Sequence, residues 1–301
     1  MYLNKAAFQL NSILTMAISL TLFSCGSNKN ADQDAPPLTK DTVVQTKAGG
    51  SEKEPEETGS FTLPSPLQIA SIFKKAGLKF YPNVANPAEN ASKYNAGKIS
   101  QALNLGVYSA DLSYCTLNKQ SQESKNYMKA SRDLATQLGL EKVFSTDNLA
   151  ERFEKNMGSD DSLASIISEM QMQTDMILEE HEQTYVSATV FAGAWIESMY
   201  IGGKVFEKSR EKNVSFRLVE QMSIADNIIR ALKSHEKKDP ALSVVIADMS
   251  AIREVFRNFA GIKALAQNKE DIDYSKIDIS DAEINGLIKK IDEVRAKIVK
   301  G

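Results

Sequence analysis

Apolar residues recur every three or four positions over most of the chain after residue 62, which is the period of one helix face. Two such faces, one near the C-terminus and one in mid-chain, contain Ile284, Leu287, Ile288, Ile291, Val294 and Ile298, and Leu163, Ile166, Ile167, Met170, Ile177 and His181. Sustained alternation of apolar and polar residues, the mark of a half-buried strand, is missing from the sequence. The pattern predicts an all-α fold of about eight or nine helices.

Short polar signals mark several helix ends. Ser65 and Asp239 each precede a proline, so that each offers a capping side chain with proline at the first helical position. Ser280 and Glu283 have the spacing of a capping box. These signals predict helices that begin near residues 66, 240 and 281.

Residues 185–203 form the longest uncharged run outside the N-terminus, and Glu197 is the only charge within it. A membrane span must be considered for such a run. A carboxylate at mid-span is costly, however, and the small residues Ser187, Ala188 and Gly193 lower the hydrophobicity of the segment. The run therefore predicts a central helix that is covered by other helices on most sides.

A second buried helix is predicted over about residues 99–118. Leu103 and Tyr114 belong to one apolar face and Leu105 and Cys115 to another, at 100° per residue. A narrow polar stripe of residues seven apart runs between these faces and consists of Asn104, Asp111 and Asn118. Asp111 is therefore a second acid with apolar neighbours on both sides.

The two central helices share a local pattern of acid, two residues and tyrosine. Asp111 precedes Tyr114 and Glu197 precedes Tyr200, and each acid has a glycine upstream, Gly106 or Gly193. The match fits either chance or an internal duplication. Its residues, together with Asn104, define the candidate buried polar or ligand site: Asp111, Glu197, Tyr114, Tyr200 and Asn104.

Three interpretations of the two acids remain open. Each can pair with a Lys, an Arg or a Tyr hydroxyl of an adjoining helix and fix how the helices pack. They can also lie in a ligand cleft, or form a general acid/base pair in a hydrolase or other enzyme. The sequence contains no catalytic motif that would assign a catalytic residue.

The histidines and methionines do not indicate a metal site or a cofactor. The two histidines, His181 and His235, lack both the Glu-x-x-His and the H-E-x-x-H spacing. His181 continues an apolar face and is expected to pack, whereas His235 is expected in solvent near a helix end. Met170, Met172 and Met176 could be soft metal ligands, but their positions favour packing. We therefore expect neither metal nor cofactor.

The N-terminus has the order of an export signal. Lys5 precedes an apolar stretch over residues 13–23, and Ser24 stands before Cys25. Leu22, Ser24 and Cys25 resemble the lipobox of bacterial lipoproteins. The resemblance implies a signal peptide over residues 1–24, cleavage before Cys25, and acylation of that cysteine with fatty acid such as palmitate.

Composition changes abruptly after Cys25. Residues 26–60 contain no aromatic residue and mix Pro, Gly, Ser and charge, so they cannot bury enough apolar surface to fold. The sequence therefore predicts a lipidated cysteine and disordered tether over residues 25–62, with a reach of about 30–35 Å, followed by an all-helical domain over residues 63–301. Cys115, the only other cysteine, has no partner for a disulfide and is expected in the core.

Charge and anchor together restrict the partners. The net charge of −3 becomes −4 when Lys5 is lost with the signal peptide, and the chain lacks a long Lys/Arg cluster, which argues against nucleic acid. The leading hypothesis is a non-enzymatic envelope lipoprotein held to a membrane by its lipid. Its helical domain would bind or scaffold an envelope protein, a peptide or a small molecule. Gly26 lacks an acidic retention signal, which favours the outer membrane, on its periplasmic or surface face.

Overall fold

The computed structural model describes residues 64–268 and 278–300, and within them every regular element is a helix, with irregular segments between the helices. The twelve α-helices are α1 (Pro66–Lys75), α2 (Lys98–Leu117), α3 (Ser121–Gln137), α4 (Glu141–Ser145), α5 (Leu149–Lys155), α6 (Asp160–Glu180), α7 (Thr184–Ser209), α8 (Lys212–Glu220), α9 (Met222–Ser234), α10 (Leu242–Arg257), α11 (Ala260–Asn268) and α12 (Asp281–Lys300). Eight of these have ten residues or more. The predicted all-α class is confirmed.

All described residues belong to one compact unit, Lys47–Gly301. The predicted signal peptide, Cys25 and all of the predicted tether precede residue 64 and lie outside the described residues. In the described part, no helix is both long enough and apolar enough to span a membrane. The run from residue 185 to 203 instead lies within α7, most of whose residues are buried.

The capping signals are confirmed at two of three helix starts. Ser65 forms a capping box at the start of α1, where its hydroxyl accepts a hydrogen bond from the backbone N–H of Gln68. Ser280 and Glu283 form the predicted box before α12. The predicted start near residue 240 is wrong, because α10 begins at Leu242. The Asp239 side chain still accepts a hydrogen bond from the backbone N–H of residue 241, which lies in the preceding turn.

Helices α2 and α7 form the most extensive helix pair and lie at the centre of the fold. They run parallel, because Leu103 of α2 lies against Gly193 of α7 and Asp111 lies against Glu197 further along both helices. A Cβ atom on Gly193 would be 2.0 Å from the Leu103 carbonyl oxygen, and one on Gly106 would be 1.9 Å from the Val190 carbonyl oxygen. The two glycines therefore allow the backbones to touch.

Helix α12 runs antiparallel to both central helices. Its Ile288 packs on Gly203 of α7, its Arg295 pairs with Glu197, and the carbonyl of Ile298 accepts a hydrogen bond from Asn104 of α2. Helix α10 is antiparallel to α12 in turn, because Asp248 pairs with Lys297 and residue 260, just beyond α10, bonds to Glu283. The N-terminal ends of α2, α7 and α10 therefore lie at the same end of the bundle as the C-terminal end of α12.

The core agrees with most of the predicted apolar positions. Cys115 is buried, and burial raises the pKa of its thiol, so it packs as an apolar residue as expected. His181 is wrongly predicted to pack: α6 ends at Glu180, and His181 is its exposed C-cap. Met170 is buried as predicted, whereas Met172 is largely exposed.

Candidate functional site

Glu197 is fully buried at the centre of α7 and pairs with Arg295 of α12. Glu197 is 0% exposed. The Arg295 guanidinium donates two hydrogen bonds to its carboxylate, from Nε to Oε2 at 2.9 Å and from Nη2 to Oε1 at 3.0 Å. The Arg295 side chain is itself only 13% exposed. A bidentate pair of this kind is stronger and more directional than a single contact. The prediction that Glu197 pairs with a cation of an adjoining helix is confirmed.

Asp111 is equally buried, but its partner differs from the predicted cation or hydroxyl. Its carboxylate lies within hydrogen-bonding reach of Glu197, and its Oδ2 accepts a hydrogen bond from the backbone N–H of Asn86 at 3.1 Å. The other oxygen, Oδ1, finds no donor among the described residues. The structure therefore brings the two buried acids together. The interpretation that each pairs with a cation or a hydroxyl holds for Glu197 and fails for Asp111.

The contact between the two acids raises the question of which one holds a proton, and the surroundings of Asp111 favour that residue. Burial raises the pKa of Asp111 most, and the charge of Glu197 raises it further, against smaller opposing effects of Arg295 and the Asn86 N–H. Both effects favour the protonated form of Asp111, in which its carboxyl can donate a hydrogen bond to Glu197. The acid–arginine cluster, Asp111, Glu197 and Arg295, then holds one negative and one positive charge.

We expect Asp111→Asn to stabilise the protein at neutral pH, because the amide can replace the protonated acid atom for atom. In the wild type the folded state keeps a proton that the unfolded chain releases above pH 3.8. Stability therefore falls as pH rises above about 4, by up to about 1.4 kcal/mol per pH unit until the folded carboxyl ionises. The measurement is urea unfolding of both proteins at pH 4.5 and 7.0. An advantage of the variant that is the same at both pH values would contradict a protonated Asp111.

The other three predicted site residues hold neighbouring segments in place. Asn104 donates from Nδ2 to the carbonyls of Ser100 (2.9 Å) and Ile298 (3.1 Å), so it ties α2 to α12. The Tyr114 hydroxyl accepts from the Tyr81 N–H (2.7 Å) and donates to the residue 79 carbonyl (3.1 Å), and burial raises its pKa to about 12. Tyr200 lies beside the cluster, with the Arg295 guanidinium 4.3 Å from its ring centre.

Asn86 was missed by the sequence reasoning and completes the buried polar network. Its side-chain amide donates to the hydroxyls of Tyr94 (3.0 Å) and Tyr108 (3.1 Å), while its backbone N–H binds Asp111. The Tyr94 hydroxyl in turn donates a hydrogen bond to the carbonyl oxygen of Val299 at 3.2 Å. This network fixes the segment before α2 against α2 and the end of α12. Asn86 lies outside any helix, so no periodic signal could identify it.

Arg295 was also missed, although a signal for it exists. It follows Ile291 by four residues and precedes Ile298 by three, so it lies on the apolar face of α12 rather than opposite it. A cation on an apolar face requires a buried partner. Glu197 and Arg295 could have been paired by this reasoning.

Among the described residues, the two carboxylates of the acid–arginine cluster offer no surface that a substrate could reach, and only Arg295 of the cluster is slightly exposed. Asp111 and Glu197 are both 0% exposed. His235 lies at the end of α9, as predicted, but it is half-buried and not in solvent. Its ring contacts the Thr184 hydroxyl at 3.3 Å, far along α7 from Glu197. Within residues 64–268 and 278–300, no group of three or more His, Cys, Asp or Glu side chains is placed to hold a metal ion. The geometry of the cluster favours packing over catalysis.

A cleft of about 420 Å³ opens at the end of the bundle where α2 and α10 begin and α12 finishes. Its volume falls within the range of small-molecule sites, about 300–1,000 Å³. Its lining is mainly aliphatic and includes Ile99, Leu103, Ile196, Val245, Val294 and Ile298. Val244, at its side, is 60% exposed and is one of the few large apolar residues that face solvent in the described chain.

Four charged side chains line the cleft, and their partners differ. Asp248 is paired with Lys297 across α10 and α12. Asp239 accepts the hydrogen bond at the start of α10 described above. Lys98, at the first turn of α2, contacts only the neutral side-chain oxygen of Gln183, at 3.4 Å, and forms no ion pair with a described carboxylate. None of the four was predicted as a site residue, because they belong to three separate parts of the chain that only the tertiary fold brings together.

Comparisons with known proteins assign no family to the chain. No protein-family model matches it, and neither does any curated protein sequence or solved structure. The interpretation of the acid–arginine cluster and of the cleft therefore rests on their own contacts and charges.

Proposed function

We propose that the protein is a lipid-anchored binding protein of the bacterial cell envelope, whose helical body binds a small molecule with an apolar part in the cleft. The observation that carries the binding role is the cleft itself: an aliphatic cavity of ligand size with a solvent opening. The anchor is supported by Leu22, Ser24 and Cys25, which resemble a lipobox. We place the protein at the outer membrane, facing the periplasm or the surface.

The acid–arginine cluster has a supporting role in this proposal. Ile196 precedes Glu197 on α7, and Val294 precedes Arg295 on α12, and both aliphatic residues line the cleft. The bidentate pair between Glu197 and Arg295 therefore fixes two walls of the cleft relative to each other. A hydrolase that uses Asp111 and Glu197 is not proposed, because neither carboxylate is exposed to solvent.

Blocking the cleft tests the binding role. We expect Val244→Trp to weaken binding of the neutral apolar dye N-phenyl-1-naphthylamine by about tenfold or more, because the indole occupies the cleft. The dye is titrated by fluorescence into the chain from residue 26 to 301, which contains the whole of the compact unit. Met172→Trp is the matched control, since Met172 is similarly exposed on α6 and does not line the cleft. Equal affinities of the two variants would contradict the proposed site.

The anchor is tested separately at Cys25. We expect the wild-type protein to incorporate labelled palmitate in cells and to sediment with membranes, and Cys25→Ala to lose the label. Cys115→Ala is the control, because that thiol is buried in the folded domain and is expected to leave labelling unchanged. Wild-type protein that is recovered unlabelled in the soluble fraction would contradict the anchor and leave the cleft proposal standing.

A further inference from the structure

We propose that the ligand of the cleft is a single-chain amphiphile with a carboxylate headgroup, such as a long-chain fatty acid, bound with its carboxylate beside Lys98. The inference rests on the proposed binding function and adds the chemical class of the ligand. It is argued from the distribution of apolar surface and of uncompensated charge around the cleft.

The apolar residues that line the cleft are aliphatic. Leu103 of α2, Ile196 of α7, and Val294 and Ile298 of α12 are among the aliphatic residues that line the cleft, and of these Ile298 is the most exposed. The cleft residues include no aromatic side chain, so there is no stacking surface for a planar ring. An aliphatic surface without directional groups suits a flexible hydrocarbon chain, for which affinity grows with the apolar area buried.

The charged side chains of the cleft differ in their partners. Asp248 is neutralised by Lys297, and an oxygen of Asp239 binds the backbone N–H of residue 241. Lys98 contacts only the neutral oxygen of Gln183. Among the described residues, Lys98 is therefore the cleft cation without a paired carboxylate, and Asp239 is the cleft carboxylate without a paired cation.

The N-terminus of α2 adds partial positive charge beside the Lys98 ammonium. Gly97 stands at its N-cap, and no side chain caps the helix there, so the first backbone N–H groups have no capping partner. Gly97, Lys98 and Ser100 all line the cleft. The partial positive charge of the helix end and the Lys98 ammonium therefore favour an anionic group at this end of the cleft.

Matched ligands that differ only in the headgroup test the inference. Decanoate, decanol and decylamine share one chain length and displace N-phenyl-1-naphthylamine from the chain of residues 26–301. We expect decanoate to bind more tightly than decanol and decylamine to bind least. Between octanoate and dodecanoate, affinity should rise by about fourfold per added CH₂ until the cleft is full.

The Lys98→Gln variant assigns the headgroup preference to one residue. We expect it to weaken decanoate binding by about threefold to fivefold and to leave decanol binding unchanged. Lys75→Gln is the matched control, because Lys75 is an exposed lysine at the end of α1. The preceding residue, Lys74, contacts Asn118 at the end of α2 opposite Lys98, so this part of α1 is remote from the cleft. This control should affect neither ligand.

The outcomes distinguish the two proposals. If no ligand displaces the dye, or the dye binds equally well to Val244→Trp, the binding function itself fails. If decanol and decanoate bind equally well and Lys98→Gln changes neither, the cleft is an apolar site and only the carboxylate inference is overturned. Tighter binding of decylamine than of decanoate would likewise overturn it.

Discussion

Replacing Arg295 by Met is expected to destabilise the helical body by about 3–5 kcal/mol at neutral pH. The substitution keeps much of the side-chain volume but leaves the Glu197 carboxylate buried without its cation, which is the costly way to break a buried ion pair. Asp111 cannot replace the arginine, because a second carboxyl supplies no positive charge to Glu197. The measurement is urea unfolding of the chain of residues 26–301, followed by circular dichroism.

Two further variants separate the buried pair from ordinary surface charge. The double variant Arg295→Met with Glu197→Gln removes both charges, and we expect it to recover at least half of the lost stability. Lys204→Met is the matched control: Lys204 joins the same two helices through Asp292, but both side chains are partly exposed, so its loss should cost about 1 kcal/mol or less. A double variant no more stable than Arg295→Met alone would mean that the loss comes from packing and not from a stranded charge.

The sequence predicts the fold class and the burial of the acids because both follow from local periodicity. Helix α2 is predicted over residues 99–118 and observed over Lys98–Leu117, and α7 contains the whole uncharged run around Glu197. Apolar neighbours on every side of an acid are visible without knowledge of the tertiary structure. The same reasoning fails at His181, because a periodic face gives no indication of where its helix stops.

The partners of the acids are less predictable because they depend on tertiary contacts. Arg295 is 98 residues from Glu197 in the chain, and Asn86 reaches Asp111 from an irregular segment. The cleft is more remote still from sequence patterns, since its charged residues, Lys98, Asp239, Asp248 and Lys297, come from three separate parts of the chain. Each of them, considered alone, is an ordinary polar residue.

The two central glycines set the distance on which the acid contact depends. Gly106 and Gly193 stand upstream of Asp111 and Glu197 in the shared local pattern, and each touches the backbone of the other helix. The close approach of α2 and α7 is what brings two carboxylates within reach of one proton. The resemblance between the two segments is therefore matched by a similar role in packing, whether it arose by chance or by duplication.

Gly193→Ala is accordingly expected to cost about 3 kcal/mol or more, at the upper end of what overpacking costs. The added Cβ would lie 2.0 Å from the Leu103 carbonyl oxygen, and since that atom is backbone, the two helices must move apart. Gly286→Ala is the control: Gly286 is an exposed residue within α12 whose Cβ would meet nothing within 4 Å, so alanine should stabilise the helix by about 0.4–1 kcal/mol. Thermal and urea unfolding measure both. If Gly193→Ala were as stable as Gly286→Ala, the backbones of α2 and α7 could not be in contact, and the contact between Asp111 and Glu197 would lose its structural basis.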